Sequence, residues 1–483
     1  MRPASRRTRR LRERYSRESQ WEEGTWASDA APLGLGVAPD ESLDDTHAAM
    51  RYMSVSRHRG AARRLMFSLL MALPLTGALD HRAFGGSVIN ARGDAAFRFV
   101  ETQRLTTGQP GVYDGLFGSA IAISRDGSTA LVAAEQANDG RGVVWTFVRR
   151  GAGWEKETSP LAVPSLPQNA AFGSSVALSA NGSTAVVGVR QDSDGGAWVF
   201  ERHGAEWSPG TQLHFGRLGK KDAYIGGSVA ISASGNTVLV GGVGTITSGP
   251  NRGFAGVGAA WVFTRVGTTW AQGRRLTPRD ERGNGAFGGA VALSADGRTA
   301  LVTAKNDVSG RGAAWVFGRT GSTWVQEGQK LVPDDEAGAG RFGSSASLSD
   351  DGTIALIGGD NDANARGAAW VFVRKGSTWH RQGAKLTGAG ELGKGEFGLA
   401  VALSSDGRTA VIGCWEDNGL RGAVWAFART SHGWTERDKL VLRDKKLDLF
   451  GEVIALSGDG RILFVSSASS GTALSPVFVF QQS

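Results

Sequence analysis

The chain has 483 residues, enough for one large domain or two ordinary ones, with 71 Gly, 13 Pro and 41% apolar residues. Glycine without a three-residue period excludes collagen, and the apolar share excludes a wholly disordered chain. The formal charge of +8 is split evenly: residues 1–78 carry 13 Arg, no Lys and 9 acids, so the remaining 405 residues hold only a small basic excess and give no electrostatic case for nucleic acid.

Residues 1–52 open with the basic run Arg6-Arg7-Thr8-Arg9-Arg10 and continue polar without a helix or strand period. They read as a disordered basic extension. Residues 53–78 follow a different order: the Arg57–Arg64 basic cluster, the apolar run Leu65–Leu75, then Thr76-Gly77-Ala78. A positive region, an apolar core of about eleven residues and a small-residue site have the form of a secretory signal. The run is too short to span a bilayer, which takes ~20 residues. Its distance from Met1 suggests that translation begins at Met50 or Met53; an N-terminal read of native protein showing residues 1–50 intact would refute this. The expected location is therefore extracellular, periplasmic or on the cell surface, with no transmembrane span in the mature chain. Residues 79–94 read as a linker. They contain Arg92-Gly93-Asp94, a triplet expected by chance in a chain rich in these residues.

Residues 95–483 repeat. Seven units open with Phe117-Gly118, Phe172-Gly173, Ile225-Gly226, Phe287-Gly288, Phe342-Gly343, Phe397-Gly398 and Phe450-Gly451, spaced 55, 53, 62, 55, 55 and 53 apart. The long third unit carries a Gly-rich insertion at Gly244–Gly258. Each opening leads into a short apolar strand, then a turn such as Asp296-Gly297 or Asp351-Gly352, then a second strand. Asp-Gly between apolar runs predicts a two-residue type I′ hairpin. A polar loop leads to Arg-Gly and a third strand such as Ala313–Phe317, and a glycine turn leads to a fourth.

Tryptophans occur in pairs nine apart: 145 and 154, 198 and 207, 261 and 270, 315 and 324, 370 and 379, 425 and 434. One member falls on strand three and one on strand four. Rings that bury ~150–250 Å² each suit the packing between stacked sheets. Four strands repeated seven times predict an all-β, seven-bladed β-propeller with four antiparallel strands per blade. The last unit ends at Val477–Phe480 with no fourth strand, and Phe97–Leu105 supplies a matching strand at the other end. That strand is expected to complete the last blade and close the ring. A monomer is expected.

The Phe-Gly step together with Val240-Gly241-Gly242 and Ile357-Gly358-Gly359 resembles the FG-GAP repeats of integrin α-chain propellers and their bacterial relatives, over about residues 95–483. The resemblance implies a propeller and says little of function. Calcium-binding repeats of that family carry an acidic Asp-x-Asp-x-Asp-Gly loop between strands one and two. Here the loop is Ser-x-Asp-Gly-x-Thr, as at Ser294–Thr299, and one acid cannot supply the six to eight oxygens calcium takes. Acids also cluster between strands two and three, at Asn138-Asp139, Asp192, Asp194, Asn306-Asp307 and Glu416-Asp417-Asn418. Asp360, Asp362 and Asn364 place three oxygen side chains at alternate positions, the pattern that would take Ca²⁺. The same loop, like its neighbours, also fits Asx turns in solvent.

No catalytic constellation is present in the sequence. The seven His, at 47, 58, 81, 203, 214, 380 and 432, lack metal-ligand spacing, and there is no nucleophile elbow or phosphate loop. The single Cys414 excludes an internal disulfide and reads as a small core residue. Arg141, Arg311, Arg366 and Arg421 recur before strand three; pairing with the neighbouring loop acids is favoured over an acidic partner. The expectation is a non-enzymatic propeller binding a protein or glycan through its loops. The alternatives are a hydrolase or lyase centred on the channel, and a structural module of a surface assembly.

Overall fold

The computed structural model describes residues 89–90, 97–108, 115–190, 195–215, 224–246, 254–255, 258–444, 446–469 and 475–483. The extension at 1–52, the signal-like segment at 53–78, Arg92-Gly93-Asp94, Asp192 and Asp194 lie outside them. Among the described residues no helix is long and apolar enough to cross a membrane.

The fold is a seven-bladed β-propeller. Blade 4 shows the pattern: Val291–Leu293, Thr299–Ala304, Ala313–Thr320 and Thr323–Gln326 pair antiparallel in sequence order. The second strand is buried along its whole length, because neighbouring blades cover both faces. Successive side chains then point into different gaps. Trp315 and Phe317 pack toward blade 3, with Ala314 and Val316 packed toward blade 5. Seven such apolar clusters, one per gap, form the core among the described residues.

The Phe-Gly step has two separate jobs. Phe342 meets Trp370 and Phe372 edge-on, with ring centroids at 5.5 and 5.8 Å. Gly343 has φ +95°, and a Cβ there would lie 2.8 Å from the Thr303 side chain of blade 4. The ring fills the gap, and the glycine lets the backbone approach the neighbouring blade. The indole N–H of Trp315 and that of Trp370 donate to Asp280 and Asp335, both at 2.7 Å, so these buried donors are satisfied.

Closure is as the sequence predicts. Phe99–Leu105 pairs with Val477–Gln482 to complete blade 7. The same strand holds both neighbours: Gln103 exchanges hydrogen bonds with the backbone of Trp154 in blade 1 at 2.7 and 2.8 Å, and Phe99 N–H donates to Asp438 of blade 6 at 2.9 Å. Within the 79–94 stretch, Ile89–Asn90 pairs with Val441 and Leu440, adding a fifth strand at the outer edge of blade 6.

The Ser-x-Asp-Gly-x-Thr turns are not the two-residue hairpins expected. Ser294 and Thr299 pair across a four-residue loop, and Gly297 N–H donates back to Ser294 at 3.0 Å. Only Gly297 takes positive φ; Asp296 does not, because its carboxylate accepts the Ser294 hydroxyl at 2.6 Å and the Arg298 amide at 2.9 Å. That is an Asx arrangement, and it competes with type I′ geometry. The position before the Asp is left free to bond outward. Ala295 N–H donates to Asp350 of blade 5 at 2.8 Å, and the equivalents continue from Asp350 to Ser405, Ser405 to Gly458, Gly458 to Arg125, Ala180 to Ala233 and Ala233 to Ala295; in blade 1 the Asp itself donates, from Asp126 to Ala180 at 3.2 Å. Seven backbone hydrogen bonds thus link the seven turns in a closed ring.

Candidate functional site

The two faces of the propeller differ in chemistry. On one face are the ringed turns and two-residue connections such as Gly321-Ser322 and Gly376-Ser377. On the other are the eight-residue links from second to third strand, such as Lys305–Gly312 and Asp360–Gly367, and the longer links from each outer strand to the next blade. Function concentrates on loops held by a rigid scaffold, which directs attention to this second face.

Blades 4, 5 and 6 repeat one device there. Asp307, Asp362 and Asp417 are buried, and each accepts a backbone N–H at 2.6 Å, from Arg282, Ala337 and Leu392. The other carboxylate oxygen holds Lys330, Lys385 or Lys439. Each Lys lies over the third-strand Trp of its blade, 5.8, 5.9 and 4.4 Å from the ring centre. After each Asp the chain makes a left-handed turn through Val308-Ser309, Ala363-Asn364-Ala365 or Asn418-Gly419-Leu420. Left-handed conformation costs ~1–2 kcal/mol per non-glycine residue. The return bonds from Gly312, Gly367 and Gly422 to the Asp carbonyls, at 2.8, 2.8 and 2.9 Å, help hold the turns.

A Glu sits beside each Asp–Lys pair. Burial pushes Glu281 up to about 7, helped by the negative charge of Asp307. Glu391 is pushed up to about 7 by burial, with Asp417 adding to it and Arg366 opposing it. Glu336 is raised by burial too, against its bond with Arg311. Of the four recurring Arg residues, one pairs as expected and two reach a different partner. Arg141 pairs with Asp139 of its own loop at 3.7 Å. Arg311 and Arg421 instead cross to Glu336 and Asp448 of the next blade, at 3.3 and 3.6 Å, because the outer-to-inner link lies closer to the guanidinium than the loop Asp, which its Lys already holds.

The second cluster rings the mouth of the central channel. The inner strands line a recess of about 250 Å³ with small residues such as Ser175, Ser228, Ser344 and Ala400; Glu452 is its one carboxylate among the described residues. At the rim, the residue after the second strand leans over the next blade in blades 2 and 3, as Arg190 and Val243. Arg190 pairs with Glu135 of the preceding blade at 3.2 Å, and its Cδ lies 3.9 Å from where a Cβ on Gly227 would be. The equivalent residues in blades 4, 5 and 6 are Lys305, Asp360 and Trp415.

Asp360 is 4% exposed, and its Oδ1 has no hydrogen-bond partner. Its amide donates to Ser344 Oγ at 3.3 Å, at the channel wall. Burial raises its pKa, while Lys305 and Arg341 draw it down. Glu396 is half-buried and accepts the Trp415 indole N–H at 2.7 Å. Burial, then the charge of Asp360, push it up to about 7; Glu416 adds to the push and Arg341 opposes it.

The three residues expected to take calcium thus meet different surroundings. Asp360 belongs to the channel mouth, Asp362 is held by Ala337 and Lys385, and Asn364 is exposed in the left-handed turn with φ 64°. Among the described residues no group of three or more His, Cys, Asp or Glu is placed to hold a metal ion. Sequence reading did not find Lys305, Arg341, Glu396 and Trp415. Their signal is the 55-residue period: Lys305, Asp360 and Trp415 fall 55 apart, as do Arg341 and Glu396.

No family model matches this sequence, and no curated protein matches it. Among solved structures the chain is similar to one described as Kuenenia stuttgartiensis hydrazine synthase, at 16% identity and a TM-score of 0.48, over 77% of this chain and 99% of that one.

Proposed function

We propose that the chain is a non-enzymatic, exported propeller of the FG-GAP type that binds a protein or glycan through its loop face. The observation that carries this reading is the asymmetry of the two faces: one is occupied by hydrogen-bonded turns, while the other concentrates long loops, strained left-handed turns and charged clusters. A screen of the full chain against surface proteins and glycans, with and without calcium, tests it. Charge reversal on the loop face, as in Lys394→Glu, should weaken binding. The same change on the turn face, as in Lys375→Glu, should not. Equal effects from both would refute the reading.

One observation favours a channel-centred hydrolase or lyase as the second reading: two carboxylates, Asp360 and Glu396, lie with Arg341 at the channel mouth. Turnover of a glycan or ester substrate that is abolished by Glu396→Gln would establish it.

A further inference from the structure

We propose that the loop-face cleft lined by Arg366, Lys385, Thr387 and Glu391 binds the terminal carboxylate of a peptide. The inference rests on the reading of the chain as a binding module and names both the partner class and the place.

The cleft has a volume of about 190 Å³ and lies between two links of the loop face. The link from second to third strand of blade 5 contributes Asp362 and Arg366. The link onward to blade 6 contributes Lys385, Thr387, Gly388 and Glu391. In blades 4 and 6 the equivalent arginines are taken up by the chain itself. Arg311 pairs with Glu336 at 3.3 Å. Arg421 pairs with Asp448 at 3.6 Å and donates to the carbonyls of Leu447 and Asp444 at 3.1 and 2.8 Å. Arg366 is exposed at the cleft and forms no hydrogen bond or ion pair among the described residues. The sequence differs at the same place: Val332-Pro333-Asp334-Asp335 of the earlier link becomes Thr387-Gly388-Ala389-Gly390. Two carboxylates are gone, so this link carries less negative charge to answer the guanidinium.

An unpaired guanidinium in a cleft favours an anion. A carboxylate suits this one better than a phosphate, because Asp362 and Glu391 share the cleft and repel a second negative charge. Its two oxygens match the fork of Arg366. Lys385 has committed two of its three donors, to the Asp362 carboxylate and to the Asp335 carbonyl, which leaves one to spare.

Glu391 sets the proton condition. Burial pushes it up to about 7; the Gly395 amide, Arg366 and Lys439 oppose the push, and Asp417 adds to it. The Asp362–Lys385 pair stands across the cleft, and the Cys414 thiol feels the Glu391 charge from blade 6. A neutral carboxyl donates to a bound carboxylate, whereas an ionised one repels it. Binding is therefore tighter on the acid side of neutrality.

The cleft is smaller than the ~300–1,000 Å³ pockets that hold drug-sized ligands, so it suits an end group rather than a whole molecule. Leu392, next to Glu391, is 56% exposed and offers apolar surface to the residue that carries the carboxylate. A peptide end has such a side chain; a sugar acid does not.

The test is an array of short peptides with varied last residues, each made as the free acid and as the C-terminal amide, probed with the full chain. Calorimetric titrations of the hits would use wild type, Arg366→Gln, Arg366→Lys, Glu391→Gln, the position-matched control Arg311→Gln and the turn-face control Lys375→Ala. A thermal melt checks each fold, and the exposure of Arg366 makes its variants safe to compare. The expected result is saturable binding of at least one free acid, weakened tenfold or more by amidation and by Arg366→Gln, less by Arg366→Lys, and unchanged in both controls. Wild-type affinity should fall about tenfold between about pH 6 and pH 8.5, and Glu391→Gln should remove that fall. No free-acid peptide bound, equal binding of acid and amide, Arg366→Gln equal to wild type, or an affinity that does not fall with pH overturns the inference. Glucuronate bound through Arg366 while every peptide fails assigns the cleft to a sugar acid and overturns the peptide. The surface-protein and glycan screen separates the two readings: a partner bound without dependence on Arg366 sinks the cleft alone, and no partner bound sinks both.

Discussion

The backbone N–H of Phe99 donates to Asp438 Oδ2 at 2.9 Å, across 339 residues of sequence. Asp438 is fully buried on the outer strand of blade 6, and Phe99 opens the strand that completes blade 7. Burial raises the Asp438 pKa, while this bond and Arg98 lower it. One end of the repeat region is thus fastened to the blade that precedes the seam. Asp438→Ala should cost ~1–3 kcal/mol by leaving the Phe99 amide without its partner, and Asp438→Asn should cost less. Deleting residues 95–106 should lower the melting temperature sharply, and Asp438→Ala should add little in that background. An unchanged melt after the deletion would show that the ring does not depend on the seam.

The paired tryptophans do unequal work. Trp315, Trp370 and Trp425 are fully buried on third strands, whereas Trp379 and Trp434 are half-buried on outer strands. Trp315→Ala should cost ~3–5 kcal/mol, the range for a large core ring lost to a cavity. Trp379→Ala should cost clearly less. Urea unfolding of the two variants gives the comparison; equal midpoints would contradict it.

Acidity should stabilise this protein within one window. Glu281, Glu391 and Glu396 are each pushed from 4.5 to about 7 in the folded chain. A raised acid binds more protons folded than unfolded, so its contribution is full below pH ~4.5 and is lost as pH rises through about 7. The melting temperature should therefore fall between pH 5 and pH 8. Glu391→Gln should flatten part of that slope, by on the order of 1 kcal/mol once solvent screening of a half-buried group is allowed for. A slope unaltered by the substitution would reject the assignment.

Calcium separates two uses of the Asp360–Asn364 loop. With Asp362 already held by Lys385 and the Ala337 amide, adding calcium chloride to metal-free protein should leave the melt unchanged. Lys385→Ala should lower it by breaking a buried pair. A saturable rise with calcium in the wild type, lost in Asp362→Asn, would assign the metal to this loop instead.

The repeat was legible because its signals are local or strictly periodic. Phe-Gly openings and Trp pairs recur at fixed offsets, and the shortfall of one strand after Phe480 matches the surplus strand at Phe99. The turn geometry was not legible, since the Asp-Gly dipeptide alone allows a tighter hairpin. The deciding contacts are the bonds of the Asp296 carboxylate to the Ser294 hydroxyl and the Arg298 amide, which the dipeptide alone does not contain. The channel mouth was hidden for a related reason. Lys305, Asp360 and Trp415 differ chemically, so they draw no notice when each loop is read singly; only the stacking of consecutive blades brings equivalent positions to one rim.

The seven backbone bonds between turns also bear on how the propeller can move. They run in one rotational sense and share a circumference with no spare link, so they act as a hoop around that end of the barrel. The opposite rim is fastened as well: Phe172, Phe342, Phe397 and Phe450 donate backbone N–H bonds to Arg141, Arg311, Arg366 and Arg421 of the preceding blade, at 2.9, 2.9, 2.9 and 3.3 Å. Held at both rims, no blade can tilt away from its neighbour at one end without breaking backbone bonds there, so motion is left to the loops that project beyond these bonds.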